Sequence, residues 1–201
     1  MTPVNKQAEL IRLATEVDNL IHSPLYAYRQ ENHYQAVIGE GDPDASLMFI
    51  GEAPGEWEAK RGRPFVGASG KMLDELLSSI GLRRQEVYIT NVVKDRPPQN
   101  RSPRVSEIRL YAPFLERQID IIEPCVVAPL GRIALSFVLK QLGLPTEGQT
   151  ISRLHGQSLT AEASYGRVTV VPLYHPAVAL YKPEQLATLQ HDFQRLKPHL
   201  H

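Results

Sequence analysis

The sequence predicts an α/β protein, in the form of a three-layer α/β/α sandwich around a central four-stranded parallel sheet. Four short apolar runs alternate along the chain with segments whose apolar residues recur at helical spacing. Strands that alternate with helices favour a parallel sheet covered by helices on both faces. The length of 201 residues is enough for a sizeable core, so we expect a single domain over residues 1–201.

The first half of the chain contains two predicted helices and two predicted strands. Pro24 ends the first amphipathic segment, because proline cannot continue a helix. Glycines and a proline stop the first apolar run abruptly, which is typical of a buried strand. Ser69 is a favourable N-cap for the next helix, and Gly81 closes it. The predicted elements are a helix over 5–22, a strand over 46–50, a helix from Ser69 to Ile80 and a strand over 87–90.

The second half repeats the alternation. Pro103 predicts the start of a long helix, because proline is favoured in the first helical turn. Residues 143–166 lack a clear period and predict irregular structure with a short hairpin. The predicted elements are a helix over 103–122, a strand over 125–128, a helix carrying Ala134, Phe137 and Val138, a strand over 168–171 and a helix over 183–197.

Composition narrows the class of protein. Lys+Arg and Asp+Glu are both 22, so the formal net charge is zero and any nucleic-acid surface must come from local clustering. Cys125 is the only cysteine, which excludes an internal disulfide and a metal site made of cysteines alone. No apolar run approaches membrane-spanning length and no signal-peptide core is present, so we expect a cytoplasmic protein without membrane association.

Polar and close-approach residues follow the predicted strands. Parallel strands bring their carboxyl ends to one edge of the sheet, where open α/β sheets bind ligands. That edge is expected to collect Gly51 with Glu52, Asn91, Gly131 and His175. A phenylalanine in the loop after the first strand would add a flat apolar surface. The sequence therefore predicts a pocket for a small planar polar ligand.

The residue types at this edge suit a nucleobase. An Asn91 amide offers a donor and an acceptor to a base edge, and Phe65 could stack on the face of the base. His175 can donate to an oxygen on which negative charge develops, and a carboxylate can orient or activate water. Each residue also has an ordinary structural interpretation: Asn91 could cap a turn, His175 could be a turn residue, and Phe65 could be plain core.

Basic residues flank the predicted pocket in two loops. They could contact phosphates, or they could form an ordinary solvated face. The first residues of the second helix, Ser69 and Gly70, could hold a phosphate with their N–H groups. The basic residues are Lys60, Arg61 and Arg63 in the first loop and Lys94, Arg96, Arg101 and Arg104 in the second.

Five motifs occur in a fixed order. They are Gly51-Glu52-Ala53-Pro54-Gly55, Arg63-Pro64-Phe65-Val66-Gly67, Asn91-Val92-Val93-Lys94, Arg96-Pro97-Pro98-Gln99-Asn100-Arg101 and His175-Pro176. Together they resemble the family 4 uracil-DNA glycosylases over roughly residues 15–182. The resemblance implies a four-stranded parallel sheet between helices. It also implies hydrolysis of the N-glycosidic bond of deoxyuridine in DNA, with release of uracil and no cofactor or metal in the reaction.

The resemblance also implies residue roles. Phe65 would stack on the extruded uracil, Asn91 would bond its polar edge, and His175 would donate to the oxygen that gains charge. Glu52 would lie against the base, and Glu58 would handle water or crowd the C5 position. The predicted site comprises catalytic Glu52, Glu58 and His175; uracil-binding Gly51, Ala53, Phe65, Asn91 and His175; and DNA-binding Ser69, Gly70, Lys94, Asn100, Arg101, Ala177 and Lys182.

The sequence departs from that family at the positions of a four-iron, four-sulfur cluster. Members typically hold the cluster with four cysteines, and the matching positions here are Leu20, Ser23, Asp95 and Tyr111. None can ligate such a cluster as a thiolate, so we expect it to be absent. We expect the four residues to share one neighbourhood closed by packing and hydrogen bonds. Ser23 and Asp95 are expected to hydrogen-bond to each other, to the backbone or to nearby arginines, and Asp95 could pair with Arg29, Arg96 or Arg101.

Two other interpretations stay open at this point. One is a catalytically inactive module of the same fold that binds DNA or a nucleobase, against which the intact Glu52, Asn91 and His175 argue. The other is an unrelated flavodoxin-like or nucleotide-binding protein, for which the chain has no glycine-rich phosphate fingerprint. The expected partners are uracil-containing DNA and uracil, and the expected oligomeric state is a monomer.

Overall fold

The computed structural model describes residues 5–200 and contains a six-stranded sheet between two layers of helices. The strands are β1 (Glu40–Gly41), β2 (Leu47–Gly51), β3 (Tyr88–Asn91), β4 (Val126–Pro129), β5 (Leu159–Ala163) and β6 (Gly166–Val170). Their order across the sheet is β1-β3-β2-β4-β6-β5. Strands β3, β2, β4 and β6 are parallel, which confirms the predicted four-stranded parallel centre. The two edge strands are antiparallel to their neighbours and extend the sheet beyond the prediction.

Helices cover both faces of the sheet. Those within the described range are α1 (Lys6–Asp18), α2 (Tyr26–Glu31), α3 (Glu56–Arg61), α4 (Ala68–Ser79), α5 (Val105–Ile122), α6 (Arg132–Gln141), α7 (Ile151–Leu154), α8 (Ala177–Tyr181) and α9 (Leu186–Gln194). Short 3₁₀ turns lie at Arg84–Glu86, Pro98–Asn100, Pro183–Gln185 and Lys197–His199. Across residues 5–200, no helix combines the length and apolar character needed to cross a bilayer.

The alternation along β2 explains the three layers. Leu47 and Phe49 belong to the apolar cluster on one face, together with α4 and α9. Met48 and Ile50 belong to the cluster on the other face, together with α1, α5 and α6. Successive side chains of a strand point to opposite faces, so one continuous apolar run supplies both cores.

Several predicted helix boundaries were wrong. The second long helix begins at Ala68 with Gly67 as its N-cap, so Ser69 lies inside the first turn and caps nothing. The long helix α5 begins at Val105, where the Glu107 carboxylate accepts a hydrogen bond from the backbone N–H of the N-cap residue Arg104 at 2.7 Å. The predicted helix over 183–197 divides into a 3₁₀ turn at Pro183–Gln185 and α9.

The carboxyl ends of the central strands open onto one edge of the sheet. Gly51 and Asn91 are register partners at the ends of β2 and β3. A parallel bridge between Leu130 and Leu173 extends the pairing beyond β4 and β6, which brings His175 to the same edge. The topology thus places Gly51, Asn91 and His175 at the edge where the sequence predicted them.

Candidate active site

A cleft of about 310 Å³ opens at this edge, a volume suited to a small molecule. It brings together most of the predicted residues. The lining residues are Glu52, Ala53, Pro54, Gly55, Glu58, Phe65, Ser69, Asn91, Pro97, Asn100, Arg101 and His175. The sequence did not indicate three of these residues as part of the site. Pro54, Gly55 and Pro97 contribute the shape of the cleft wall and carry no reactive side chain.

Phe65 forms one wall in an unusual backbone conformation. Its φ of 50° lies in the left-handed region, which a phenylalanine rarely adopts without support. Gly70 packs directly beneath it, since a Cβ at that position would collide with the Phe65 carbonyl group. The ring centroid of Phe65 lies 5.5 Å from that of His175, with 29° between the planes. The loop therefore presents an aromatic face beside the imidazole.

Two charged side chains hold the Phe65 loop. Glu58 accepts hydrogen bonds from the backbone N–H groups of Val66 and Gly67 through one oxygen, each at 2.8 Å. Arg84 donates to the Phe65 carbonyl oxygen at 3.0 Å and also to the carbonyl oxygen of the preceding proline. No sequence pattern pointed to Arg84, because it lies in a 3₁₀ turn 19 residues after Phe65. These contacts fix the position of the loop.

His175 has a defined tautomer. The backbone N–H of Ala177 donates to its Nδ1 at 3.2 Å, so that nitrogen carries the lone pair. Burial lowers the pKa of His175 from 6.5 to about 4, and the nearby Glu58 carboxylate acts in the opposite direction. At neutral pH the ring is therefore uncharged and carries its proton on Nε2. A ring that lines the cleft thus has one N–H donor available.

Asn91 reaches the cleft from the end of β3. Its side chain is buried, and within residues 5–200 its amide makes no hydrogen bond to another side chain or to the backbone. Gly51 lies against it: a Cβ there would collide with Asn91 Oδ1 and come within 2.8 Å of the Phe65 ring. Glycine at 51 lets the amide and the aromatic ring converge, which leaves a donor and an acceptor for a ligand.

The predicted DNA contact of Lys94 is wrong. Its side chain is 0% exposed, and its ammonium donates to Thr90 Oγ1 and the Asn91 carbonyl oxygen, both at 2.8 Å, and to Gln118 Oε1. Burial lowers the pKa of Lys94 well below its usual value. A lysine whose donors are all used inside the core cannot contact a phosphate. It supports the backbone of Asn91 instead.

The predicted phosphate contact of Gly70 is also wrong. Its backbone N–H donates to the Gly67 carbonyl oxygen at 3.0 Å, and the residue is buried under the Phe65 loop. Ser69 and Asn100 do line the cleft, as predicted. Their contact with DNA stays a prediction, as does that of Ala177 and Lys182.

The predicted basic surface is partly neutralised by ion pairs. Arg63 pairs with Glu40 through two hydrogen bonds, and Lys60 pairs with Glu56 at 2.5 Å. Arg101, which lines the cleft, is held in a bidentate pair by a buried glutamate. Among the described residues, Arg61 and Lys182 make no ion pair. The unpaired positive charge near the cleft is therefore smaller than the sequence predicted.

The four positions of the family's iron–sulfur ligands form a buried hydrogen-bond network. Tyr111 donates from its hydroxyl to Asp95 Oδ2 at 2.6 Å and lies 2.7 Å from Ser23 Oγ. Arg29 pairs with Asp95 Oδ1 at 3.1 Å, and Leu20 packs against the same apolar cluster. This confirms the predicted neighbourhood, with Arg29 as the arginine partner. The residues present do not fit an iron–sulfur cluster, because none supplies a thiolate.

The chain is similar in sequence to known uracil-DNA glycosylases. A family model described as the uracil DNA glycosylase superfamily matches residues 38–199. A type-4 uracil-DNA glycosylase of Sulfurisphaera tokodaii is 46% identical over 163 residues, which are 81% of this chain and 73% of the relative. Enzymes of the same description from Saccharolobus solfataricus and Archaeoglobus fulgidus are 42% and 45% identical. They cover 92% and 80% of this chain, and the matches span 83% and 79% of the relatives.

Proposed function

The chain belongs to the uracil-DNA glycosylase superfamily, and on that premise we propose that it repairs DNA by hydrolysing the N-glycosidic bond of deoxyuridine. The reaction releases free uracil and leaves an abasic site. One observation carries this function: the His175 ring, whose Nδ1 accepts from the Ala177 N–H, lies beside the Phe65 ring in the same cleft as Asn91. These three groups supply a hydrogen-bond donor, a stacking surface and an amide edge, as a uracil ring requires.

Base recognition follows from these groups. A uracil inside a duplex is out of reach, so the nucleotide must be extruded, at a cost of roughly a few kcal/mol. Phe65 offers its face to the ring, and Asn91 offers an acceptor and a donor to the N3–H and a carbonyl oxygen. The Asn91 amide is fixed by its buried setting. A base whose edge does not offer a matching donor and acceptor leaves that amide unpaired, so its binding is disfavoured.

Bond cleavage depends on charge development. As the bond from C1′ to N1 breaks, its electron pair stays on the pyrimidine, whose carbonyl oxygens share the negative charge. Donation from His175 Nε2–H stabilises that charge by roughly a few kcal/mol. A neutral donor fits this role, since the proton stays on the imidazole and the leaving group departs as an anion.

Water addition completes the reaction. A water oxygen forms the new bond to C1′, and one of its protons passes to a carboxylate. Glu52 lines the cleft and makes no side-chain hydrogen bond within residues 5–200, so we assign the water to Glu52. Glu58 uses one oxygen to hold the Phe65 loop, so we assign it a positioning role. Its second oxygen is close to Gly55 at the cleft wall.

Incubation with a uracil-containing oligonucleotide, followed by alkali cleavage at abasic sites, tests the function. Strand cleavage at uracil and none at thymine is expected, also in the presence of excess chelator. Asn91→Ala and His175→Ala should each lower the single-turnover rate by about tenfold or more. His22→Ala, at an exposed position away from the cleft, should match the wild type.

The inactive-module interpretation predicts a different outcome. Such a protein would bind the oligonucleotide and leave no alkali-sensitive site under any condition. Near wild-type rates in both Asn91→Ala and His175→Ala would contradict the assigned pocket even if uracil were excised.

We also propose that the protein acts as a monomer in the cytoplasm, with DNA crossing the rim of the cleft. Ser69, Asn100, Arg101, Ala177 and Lys182 are the candidate contacts on that rim. Size-exclusion chromatography coupled to light scattering tests the monomer, since a stable dimer would have twice the mass of 22.6 kDa.

A further inference from the structure

Trp57 is an exposed aromatic side chain that the proposed reaction does not use. It is the only tryptophan in the chain, and 55% of its surface is exposed. It lies in α3 immediately before Glu58, which lines the cleft. Its Cδ1 is 3.8 Å from the place that a Cβ on Gly67 would occupy, so the indole borders the Phe65 loop. A large aromatic ring thus lies at the rim of the cleft.

Two cations accompany the ring. Lys60 Nζ lies over the ring at 5.1 Å from its centroid and Arg61 Cζ lies over it at 5.3 Å, so a base that stacks on an occupied face takes the place of a cation there. Lys60 shares its charge with Glu56, whereas Arg61 makes no ion pair within the described residues. An exposed aromatic ring beside positive charge is the composition of surfaces that bind single-stranded nucleic acid, where bases stack on rings and cations follow the phosphates.

We propose that Trp57 is a stacking subsite for the nucleobase next to the uracil in single-stranded DNA. The inference rests on the proposed function, because a uracil held in the cleft fixes where the strand crosses the rim. In a single strand the neighbouring base is unpaired and can turn onto the indole. In a duplex that base stays paired and stacked with its own neighbours. Trp57 therefore favours single-stranded substrates over duplex substrates.

The surroundings favour a nucleobase over a protein partner. Protein interfaces bury a broad patch with an apolar centre. Around Trp57 the neighbours in α3 are charged, namely Glu56, Lys60 and Arg61. An exposed ring in a charged setting at the rim of the cleft suits one base of a polyanion.

Intrinsic fluorescence gives a direct test, since no other tryptophan contributes. The probe is oligothymidylate of about twelve nucleotides, which contains no uracil. Stacking should quench the Trp57 emission in a saturable way, and the midpoint should match the affinity obtained from anisotropy of the same labelled oligonucleotide. Binding by anisotropy without any change in the tryptophan emission would overturn the proposal.

Substitutions separate stacking from apolar contact. Trp57→Leu keeps an apolar side chain without a ring and should weaken binding of the single strand by about tenfold, while Trp57→Phe keeps a smaller ring and should lose less. Affinity for the matching uracil-containing duplex should stay within about twofold in both variants. Equal losses on single strands and duplexes, or no loss on either, would overturn the proposal.

The two proposals fail in different ways. Quenching by oligothymidylate without any uracil excision by the wild type would refute the glycosylase activity and reduce the proposal to a general stacking surface for single strands at Trp57. Uracil excision by a protein whose tryptophan emission does not change with single-stranded DNA would refute the stacking subsite and leave the glycosylase activity standing. Val105→Ala, at an exposed apolar residue outside the cleft lining, serves as the control and should leave both strand affinities unchanged.

Discussion

Replacing Tyr111 by phenylalanine removes one hydroxyl from the centre of the buried network. That hydroxyl donates to Asp95 Oδ2 and lies within hydrogen-bond distance of Ser23 Oγ. The ring itself stays, so the apolar packing of α5 is preserved. The change therefore measures what the hydrogen bonds contribute to holding the N-terminal segment, the loop after β3 and α5 together.

The expected cost follows from the partners. A hydrogen bond to a charged group contributes roughly 1.5–3 kcal/mol and a neutral one roughly 0.5–1.5 kcal/mol. Asp95 keeps Arg29 on its other oxygen, so its charge is not left wholly unpaired. We expect the free energy of unfolding to fall by about 3 kcal/mol. For a protein of this length, that corresponds to a decrease of roughly 6–12 °C in Tm.

The loss should depend on pH. Burial raises the pKa of Asp95, while Tyr111 and Arg29 act in the opposite direction. Without the hydroxyl the pKa rises further, so the folded variant binds a proton that the unfolded chain releases. Its stability is then present at acid pH and lost as pH rises through the folded-state pKa. The difference in the free energy of unfolding between Tyr111→Phe and the wild type should be small at acid pH and reach its full value at neutral pH.

Urea unfolding at several pH values measures both effects. Tyr165→Phe is the matched control, because its hydroxyl makes one longer hydrogen bond, at 3.2 Å to the Pro124 carbonyl oxygen. That control should lose about 1 kcal/mol or less. A Tyr111→Phe variant as stable as the wild type at neutral pH would show that the network does not hold these elements together.

Three further outcomes are expected. In the wild type, the lowered pKa of His175 stabilises the fold above pH 6.5, and up to about 3 kcal/mol of the free energy of unfolding is lost as pH falls from 6.5 to about 4. His175→Gln should not show this loss; identical pH profiles of the two proteins in urea unfolding would refute this. Lys94→Met should lower the free energy of unfolding by about 2–4 kcal/mol, since three buried acceptors lose their donor; unchanged chemical denaturation would contradict the assigned network. Arg61→Ala should reduce the log–log salt slope of DNA binding by about one unit and Arg63→Ala by less, because Glu40 neutralises Arg63; equal slopes would show that the ion pair breaks on binding.

The parallel centre of the sheet could be predicted because its strands are buried on both faces. Such strands appear as short continuous apolar runs, as in Leu47–Gly51. The edge strands carry no such signal. Strand β1 has two residues, Glu40–Gly41, and exists only through its pairing with β3. Strand β5 alternates between partly exposed and buried positions, and the sequence indicated at most a short hairpin there.

Most residues of the cleft wall could be predicted from the sequence, but their contacts could not. Gly51, Asn91 and His175 come together because each lies at the end of a parallel strand or shortly after it, and these strands end at one edge of the sheet. Lys94 was misjudged, because a lysine in a basic segment normally lies in solvent, and its acceptor on Gln118 comes from a helix 24 residues away. The tautomer of His175 depends on one backbone N–H in the following turn, which has no sequence signature.

Glu58 and Arg84 hold the Phe65 loop through its backbone, so contacts within the protein set the shape of the cleft. A site shaped in this way loses little ordering entropy when a base enters it. Free uracil meets the same ring, amide and imidazole as the extruded base, so the product competes for the cleft after the bond is broken. Added uracil should therefore act as a competitive inhibitor.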